Sequence, residues 1–580
     1  VSAQEGLDRR ALLALAATGL AAAAAGRARA EAPAADPAPA DAGFRDLVQA
    51  PLRDGAKLAC SLWLPPGTGP FPAVVMRTLN RRRDADPARS LVTAPLRAAG
   101  YAVLAADLRG RFESEGVFDP NDLAGDARDG ADLVDWAAAQ PWCDGQVGTL
   151  GRAPPPTPRV KAAVVWGPAA TPPGGPPALI EAVSLLAEAG PEALDRLAAR
   201  GGDVSAGRAA LALLAERPEA VFAHLPLSES PAMTAAPFAA WLAPRLLAPA
   251  QPPSAPEVAS APTLRICGWY DPATAARLAG FRGAPGEILI VGPWAQTLTP
   301  TRRLAQVDFG PAADPAGAEL AARVTTFFDR TLRGRPGAAA PIRYFVMGAN
   351  AWRETAVWPP AGLARRRLYL RSGGKANSVA GDGVLTADGP GGDPPDRFVY
   401  DPDQPAPTMG GAIAGGLPGQ MLLGPGPVEQ SPLEKRPDVL CYTTAPFPAA
   451  QEVTGPVTLR LFVESSAANT DFTGRLTHVY PDGASVNLCE AIQRLDAADP
   501  GAAYDLVFDL GQTSVELAAG HRLRLQVTSS NFPQFDRNMN TGHPPGSDAK
   551  GVPAVQTVHH RRGKASWLEL CVGPPRGALA

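Results

Sequence analysis

The hydrophobic pattern of this chain changes period part-way along, and that change dictates what it can fold into. Upstream, apolar residues come in short continuous runs at 72–76, 101–108 and 160–166. Such runs suit strands buried on both faces of a sheet. Residues 126–140 place Ala127, Leu133, Val134, Trp136 and Ala137 at helical spacing. Strands alternating with helices predict a mostly parallel sheet in an α/β unit over 44–167. Over 168–255 the strand runs vanish, and Ala- and Leu-rich stretches at 178–189 and 208–215 read as helices broken by Pro and Gly. Strand-like runs return at 263–267 and 287–291, so the α/β unit is expected to resume over 256–340 around a helical cap. Beyond 341 the period drops to two. Val457, Leu459, Leu461 and Val463 alternate with Thr458, Arg460 and Phe462; Leu523, Leu525 and Val527 alternate with Arg522, Arg524 and Gln526. Strands with one buried face, separated by Gly-, Pro- and Asp-rich turns, predict an all-β sandwich of jelly-roll type over 341–580.

A length of 580 residues exceeds one domain, and a net charge of −3 gives no basic surface for nucleic acid. The six cysteines, at 60, 143, 267, 441, 489 and 571, form no C-x-x-C pair, so neither a zinc site nor a thioredoxin-like motif is expected. They read as buried free thiols; Cys441 and Cys489 are the two that an oxidising compartment would join. His559-His560 has no accompanying carboxylate or Cys cluster and reads as a solvated surface pair. No cofactor and no metal are expected.

Arg9 and Arg10 precede an apolar run of 15 residues at 11–25, and Ala28-Arg29-Ala30 follows. Charged start, short apolar run and small-residue cleavage site make 1–30 a signal peptide. The run is shorter than the roughly 20 residues a membrane span needs. Leu7-Asp8-Arg9-Arg10-Ala11-Leu12-Leu13 resembles a twin-arginine export signal. The expected location is therefore periplasmic or secreted, with 31–43, rich in Ala and Pro, as a spacer.

Four segments carry a family resemblance. Asp107-Leu108-Arg109-Gly110-Arg111, then Ser114-Glu115-Gly116, resembles a D-x-R-G…S-E-G loop. Trp136 through Gln140-Pro141-Trp142-Cys143-Asp144-Gly145-Gln146-Val147-Gly148 resembles the approach to a nucleophile. Gly268-Trp269-Tyr270-Asp271 and Gly292-Pro293-Trp294 resemble the turns that bear a catalytic acid and base. Asp471-Phe472-Thr473 and Ser529-Ser530-Asn531-Phe532-Pro533 add the β part. In this order the chain resembles the cocaine-esterase / X-prolyl dipeptidyl-peptidase group, the CocE/NonD hydrolases. The resemblance implies an α/β-hydrolase core with a helical cap insertion, followed by an all-β jelly-roll C-terminal domain. It also implies a Ser-His-Asp triad that transfers the acyl group of a small ester, amide or peptide to water.

The matching positions depart from that chemistry. The family's nucleophile elbow, G-x-S-Y-x-G, falls on Gly151-Arg152-Ala153-Pro154-Pro155-Pro156: without a gap Ala153 stands for the serine, with an earlier gap the serine is deleted, and either way no Ser, Cys or Thr occupies the elbow. The next residue should donate its N–H to the oxyanion, but Pro154 has none. Consecutive prolines favour an extended path. Only Thr157-Pro158-Arg159 separates them from the next strand, so roughly ten residues of turn and helix are missing from the family pattern. Gln296 matches the histidine and cannot take a proton near neutral pH. Asn80 matches the second oxyanion donor, a tyrosine. Asp271 alone matches its triad counterpart, and reads as a turn-capping carboxylate once the histidine is gone. Loss of a triad serine or histidine lowers kcat on the order of 10⁶-fold. The resemblance thus implies a catalytically impaired or inactive homologue. The alternatives are an active esterase or peptidase using other residues, such as Ser114 with His224, and a ligand-binding protein built on the jelly roll. Ser114 otherwise reads as a loop brace, and Arg81-Arg82-Arg83 as a solvated loop.

Overall fold

A computed structural model describes residues 43–86, 90, 92–166, 176–247, 261–296, 302–316, 319–337, 341–414, 424–496 and 499–574. The expected signal peptide and nearly all of the spacer lie outside the described residues.

The continuous apolar runs become the middle of a ten-stranded sheet. Its strands are β1 (Phe44–Pro51), β2 (Lys57–Trp63), β3 (Phe71–Thr78), β4 (Ala102–Asp107), β5 (Cys143–Gly151), β6 (Val160–Val165), β7 (Thr263–Tyr270) and β8 (Ile288–Ala295). A small hairpin of β9 (Arg303–Leu304) and β10 (Val307–Asp308) follows outside the sheet, and then β11 (Ile342–Val346) and β12 (Ala351–Thr355) complete it. The spatial order is β1-β2-β4-β3-β5-β6-β7-β8-β11-β12. From β4 to β11 every pairing is parallel; β1, β2 and β12 are antiparallel additions at the edges. The α/β sheet therefore runs past the expected boundary at 340. β11 and β12 alternate in burial less regularly than later strands, so their sequence did not separate them from the β domain.

Helices α1 (Thr93–Ala98) and α2 (Leu123–Ala138) lie on opposite faces of this sheet. Leu133, Val134 and Ala137 of α2 pack on Val75, Leu104 and Val147. The cap comprises α3 (Leu179–Ala199), α4 (Ser205–Glu216), α5 (Pro218–Ala223), α6 (Pro231–Thr234) and α7 (Phe238–Leu246), with its own core around Val183, Leu186, Phe238 and Trp241. Helices α8 (Thr274–Gly280) and α9 (Leu320–Arg333) return to the α/β unit. Phe327 and Phe328 of α9 join Leu96 of α1 on one face of the sheet. Gly148 permits this approach, since a Cβ there would lie 2.5 Å from the Phe328 ring.

The period-two segments form the second sheet, of eleven strands, between Ala364 and Val572. Strand Gln451–Ser465 alternates buried and half-buried residues over most of its length, as its sequence predicts. One expectation changes. His559 and His560 are buried, not solvated: His560 is 0% exposed and its Nε2 lies 3.0 Å from Asp396 Oδ2. Ser372 and Tyr442 donate to the same carboxylate, at 2.6 and 2.7 Å. All six cysteines are free, Cys441 and Cys489 included. Burial pushes the Cys441 thiol up to about 12.

The connection from β5 to β6 departs most from its type. The two strands are parallel neighbours, with Gly148 opposite Ala162 and Gly151 opposite Val165. The chain must therefore return the length of a strand, and it does so through residues 152–159 without a helix. Such crossovers ordinarily take a dozen or more residues. Eight residues in a helix would advance roughly 12 Å, whereas eight extended ones reach about 25 Å. The connection has no helix: prolines 154–156 favour an extended start, and a turn closed by the Val160 N–H on the Thr157 carbonyl at 3.2 Å leads into β6.

Candidate active site

The C-terminal edge of the parallel strands gathers the expected positions. Asn80 lies two residues past β3, Ala153 two past β5, Asp271 one past β7 and Gln296 one past β8. β7 and β8 end in register, with Tyr270 opposite Ala295, so Asp271 and Gln296 leave the sheet together. Asn80 and Ala153 are exposed, and Pro154 is half-buried. The Asn80 N–H is occupied by Thr78 Oγ1 at 3.1 Å.

Asp271 is turned inward and is 3% exposed. Its Oδ1 accepts from the Ala273 N–H at 2.9 Å, at the start of α8. Its Oδ2 accepts from Arg277 Nη1 at 2.6 Å. Burial raises the Asp271 pKa, and the Arg277 guanidinium opposes that shift. The carboxylate thus caps a turn and neutralises a buried arginine. Sequence reasoning did not find Arg277; its signal was a cation six residues on, one helical turn into α8.

The strap at 152–159 is fastened to α2. Arg77, at the end of β3, has a side chain 8% exposed. Its Nη1 donates to the carbonyl and Oδ1 of Asp126, at 2.5 and 2.6 Å. Its Nη2 reaches the Ala153 carbonyl at 3.4 Å. Arg152 Nη2 donates to Asp126 Oδ2 at 3.0 Å. Further along, Thr157 Oγ1 donates to Asp135 Oδ1 at 2.8 Å. The Arg77 guanidinium crosses α2 at Gly130, where a Cβ would lie 2.6 Å from its Cζ. Beneath the strap is a cavity of about 10 Å³, lined by Val75, Thr149, Ala153, Pro155 and both arginines among others. That is room for one water-sized particle.

The remaining candidates are braced within the fold. Ser114 Oγ accepts from the Ala59 N–H at 2.9 Å and donates to the Asp107 carbonyl at 2.8 Å. His224 is half-buried at the end of α5, and no hydrogen bond joins it to Ser114 among the described residues. Arg82 is not part of a solvated loop: it is buried and paired with Asp107 at 2.6 Å, with Glu113 and with Asp46. Burial pushes Asp107 up to about 6 against the pull of Arg82. A larger cleft, of about 560 Å³, is lined by the loop at Phe112–Gly116, by Glu192 and Arg196 of α3 and by Arg200 just past it; the loop is also tied to the helix, Arg196 Nη2 donating to the Ser114 carbonyl at 3.0 Å. Among the described residues no group of three or more His, Cys, Asp or Glu is placed to hold a metal ion.

Comparison with known proteins places this architecture. Residues 54–180 match the X-Pro dipeptidyl-peptidase (S15 family), and 337–569 match the X-Pro dipeptidyl-peptidase C-terminal non-catalytic domain. The cocaine esterase of Rhodococcus sp. (strain MB1 Bresler) is 34% identical over 553 residues, covering 85% of this chain and 92% of that protein. The chain belongs to the CocE/NonD hydrolase family. Its fold is shared by an aminopeptidase from the marine sediment archaeon Thaumarchaeota archaeon, with a TM-score of 0.68 at 21% identity, covering 94% of this chain and 99% of that one. An α-amino acid ester hydrolase superposes with a TM-score of 0.64 at 22% identity, covering 93% and 99%. The positions expected for nucleophile, base and oxyanion donor, Ala153, Gln296 and Pro154, all follow strands of the parallel sheet at its C-terminal edge.

Proposed function

We propose that this chain is a catalytically impaired CocE/NonD homologue that binds a small ester, amide or peptide without turning it over. The observation that carries the reading is the strap. A nucleophile elbow needs a hydroxyl or thiol on a sharp turn that opens a helix, followed by a residue with a free N–H. Residues 152–159 offer an alanine, three consecutive prolines and no helix. Asp271 adds support, since its carboxylate is committed to Ala273 and Arg277. Gln296 supplies no base. Ser114, the hydroxyl a substitute mechanism would need, already spends its oxygen on Ala59 and Asp107.

The test is fluorophosphonate labelling of the full chain, alongside p-nitrophenyl acetate and butyrate hydrolysis. A cooperatively folded protein is expected to show neither labelling nor turnover above the enzyme-free blank. Turnover that titrates stoichiometrically with the fluorophosphonate would overturn the reading. We also propose export, on the strength of Arg9-Arg10, the apolar run and Ala28-Arg29-Ala30. Sequencing the N-terminus of chain recovered from a periplasmic fraction would read the processing site; an unprocessed cytosolic product would sink this.

A further inference from the structure

We propose that residues 531–546 form a proton-linked latch that pins the cap to the β domain, closed by two carboxylates, Asp471 and Asp536, that share the guanidinium of Arg494. The segment lies in the long connection between strands Arg522–Thr528 and Ala554–His559. Both sequence motifs of the β part converge on it: 529–533 opens it, and Asp471 lies beneath it. Its outer side is joined to the cap. Phe532 packs on the cap core. The Asp536 N–H donates to the Pro177 carbonyl at 3.0 Å, just ahead of α3. Arg537 Nη2 donates to the Ala223 carbonyl at 3.0 Å, at the end of α5. The Ser228 N–H donates to the Gly546 carbonyl at 3.0 Å. The cap in turn borders the candidate site, because Arg111 donates to the Ala189 carbonyl of α3 at 3.2 Å and to the Leu79 carbonyl, next to Asn80, at 3.0 Å.

The inner side of the segment rests on Arg494. Its Nε and Nη2 donate to the two oxygens of Asp471, each at 2.8 Å. The same Nη2 donates to Asp536 Oδ1 at 2.8 Å, and Nη1 to Oδ2 at 3.3 Å. Asn538 Nδ2 adds a bond to Asp471 Oδ1 at 2.9 Å. The side chains of Asp471, Asp536 and Arg494 are 1%, 6% and 6% exposed. Around them, Tyr400 gives its hydroxyl to the Asn538 carbonyl at 3.0 Å, and Arg537 donates to the Pro402 and Ala223 carbonyls. Asp496 adds negative charge beside Asp536. On the cap side, Glu181, the first acid of α3, is paired with Arg245 at 3.8 Å. Burial raises the Asp536 carboxyl above the ordinary carboxylate range, with Arg494 opposing the shift and the Asp471 charge adding to it. A proton on one of two buried carboxylates relieves both their repulsion and the cost of burial. Opening the segment returns Asp536 to water and to an ordinary pKa of about 3.9. The closed latch therefore holds the proton at a higher pH than the open one. This contribution to closure is whole at about pH 4 and is lost as pH rises through the closed-state value. It is a property of the fold, and stands whether or not the site turns a substrate over.

The experiment is hydrogen–deuterium exchange of the full chain at about pH 7 and about pH 5, read by mass spectrometry and corrected for the intrinsic pH dependence of amide exchange. Peptides covering 225–230 and 531–546 should gain protection at the lower pH by roughly tenfold, while strand Gln451–Ser465 does not gain. Asp536→Asn, which keeps a neutral group in the same place, should hold the segment closed at both pH values and abolish the difference. Asp471→Asn leaves Arg494 to Asp536 alone and should flatten it as well. Equal protection of the latch at the two pH values, a gain that strand Gln451–Ser465 shares, or a pH dependence that survives in Asp536→Asn would each overturn the proposal. Where a variant fails to fold, the native chain still decides the matter, since its latch and its strand are compared within one sample.

Discussion

Asp271 Oδ2 and Arg277 Nη1 lie 2.6 Å apart, both buried, just past the end of β7, and Asp271 is the residue expected as a triad acid. A carboxylate that orients a histidine is dispensable to the fold. One that neutralises a buried guanidinium is not. Asp271→Ala is therefore expected to destabilise the protein by about 3–5 kcal/mol, because it removes the carboxylate paired with a buried guanidinium. Urea unfolding of the variant checks this; a change under about 1 kcal/mol would return Asp271 to a catalytic reading.

On the proposed reading, placing a serine and a histidine at these positions is not expected to produce hydrolysis. Ala153→Ser/Gln296→His supplies a hydroxyl and an imidazole, but Pro154 has no N–H to offer an oxyanion. The strap has no helix behind it, and Asp271 remains engaged by Arg277. No fluorophosphonate adduct should appear by mass spectrometry over hours. An adduct on the serine introduced by Ala153→Ser would mean that the strap tolerates an elbow geometry after all.

Much of the architecture was legible because hydrophobic period is a direct image of burial. Strands β3, β4 and β6, the α2 helix and strand Gln451–Ser465 all follow it. What escaped depends on partners distant in sequence. β11 belongs to the α/β sheet because β8 accepts it as a neighbour, and β12 joins through β11, which no local pattern records. His560 is buried because Asp396, far upstream, waits with a carboxylate that Ser372 and Tyr442 also serve. At the site, the sequence places Ala153 and Gln296 just past β5 and β8. The employment of Asp271, Arg77 and Asp126 was not legible in it, since each is defined by the side chain it meets.

A pH dependence follows from a second buried histidine. His478 Nε2 lies 2.6 Å from His521 Nδ1, and His478 stacks on Tyr480. Burial, with the neighbouring His521, pushes His478 down to about 3. An unfolded imidazole titrates near 6.5, so the unfolded state binds the proton first as pH falls. The contribution to stability is whole above about pH 6.5 and is lost progressively toward pH 3. Between pH 7 and pH 5 the loss from this group is about 2 kcal/mol. Comparing urea unfolding of the native chain and His478→Gln at both pH values isolates it: the variant should show a shallower acid slope. Parallel slopes would mean that His478 titrates normally in the fold.

Gly130 offers a prediction in which two effects oppose each other. It sits inside α2, where Gly→Ala ordinarily stabilises a helix by about 1 kcal/mol. Here the added methyl would lie 2.6 Å from Arg77 Cζ and 2.8 Å from its Nε. That guanidinium is no free end: Asp126 holds it by a backbone carbonyl and a carboxylate oxygen. Displacing it sacrifices charged hydrogen bonds of about 1.5–3 kcal/mol each, which exceeds the propensity gain. Gly130→Ala should therefore destabilise by about 1–3 kcal/mol. In an Arg77→Met background the same change should lose most of that cost, leaving a coupling energy of about 1 kcal/mol or more. A stabilising Gly130→Ala, or additive effects in the double-mutant cycle, would show that Arg77 is not what holds the strap against α2.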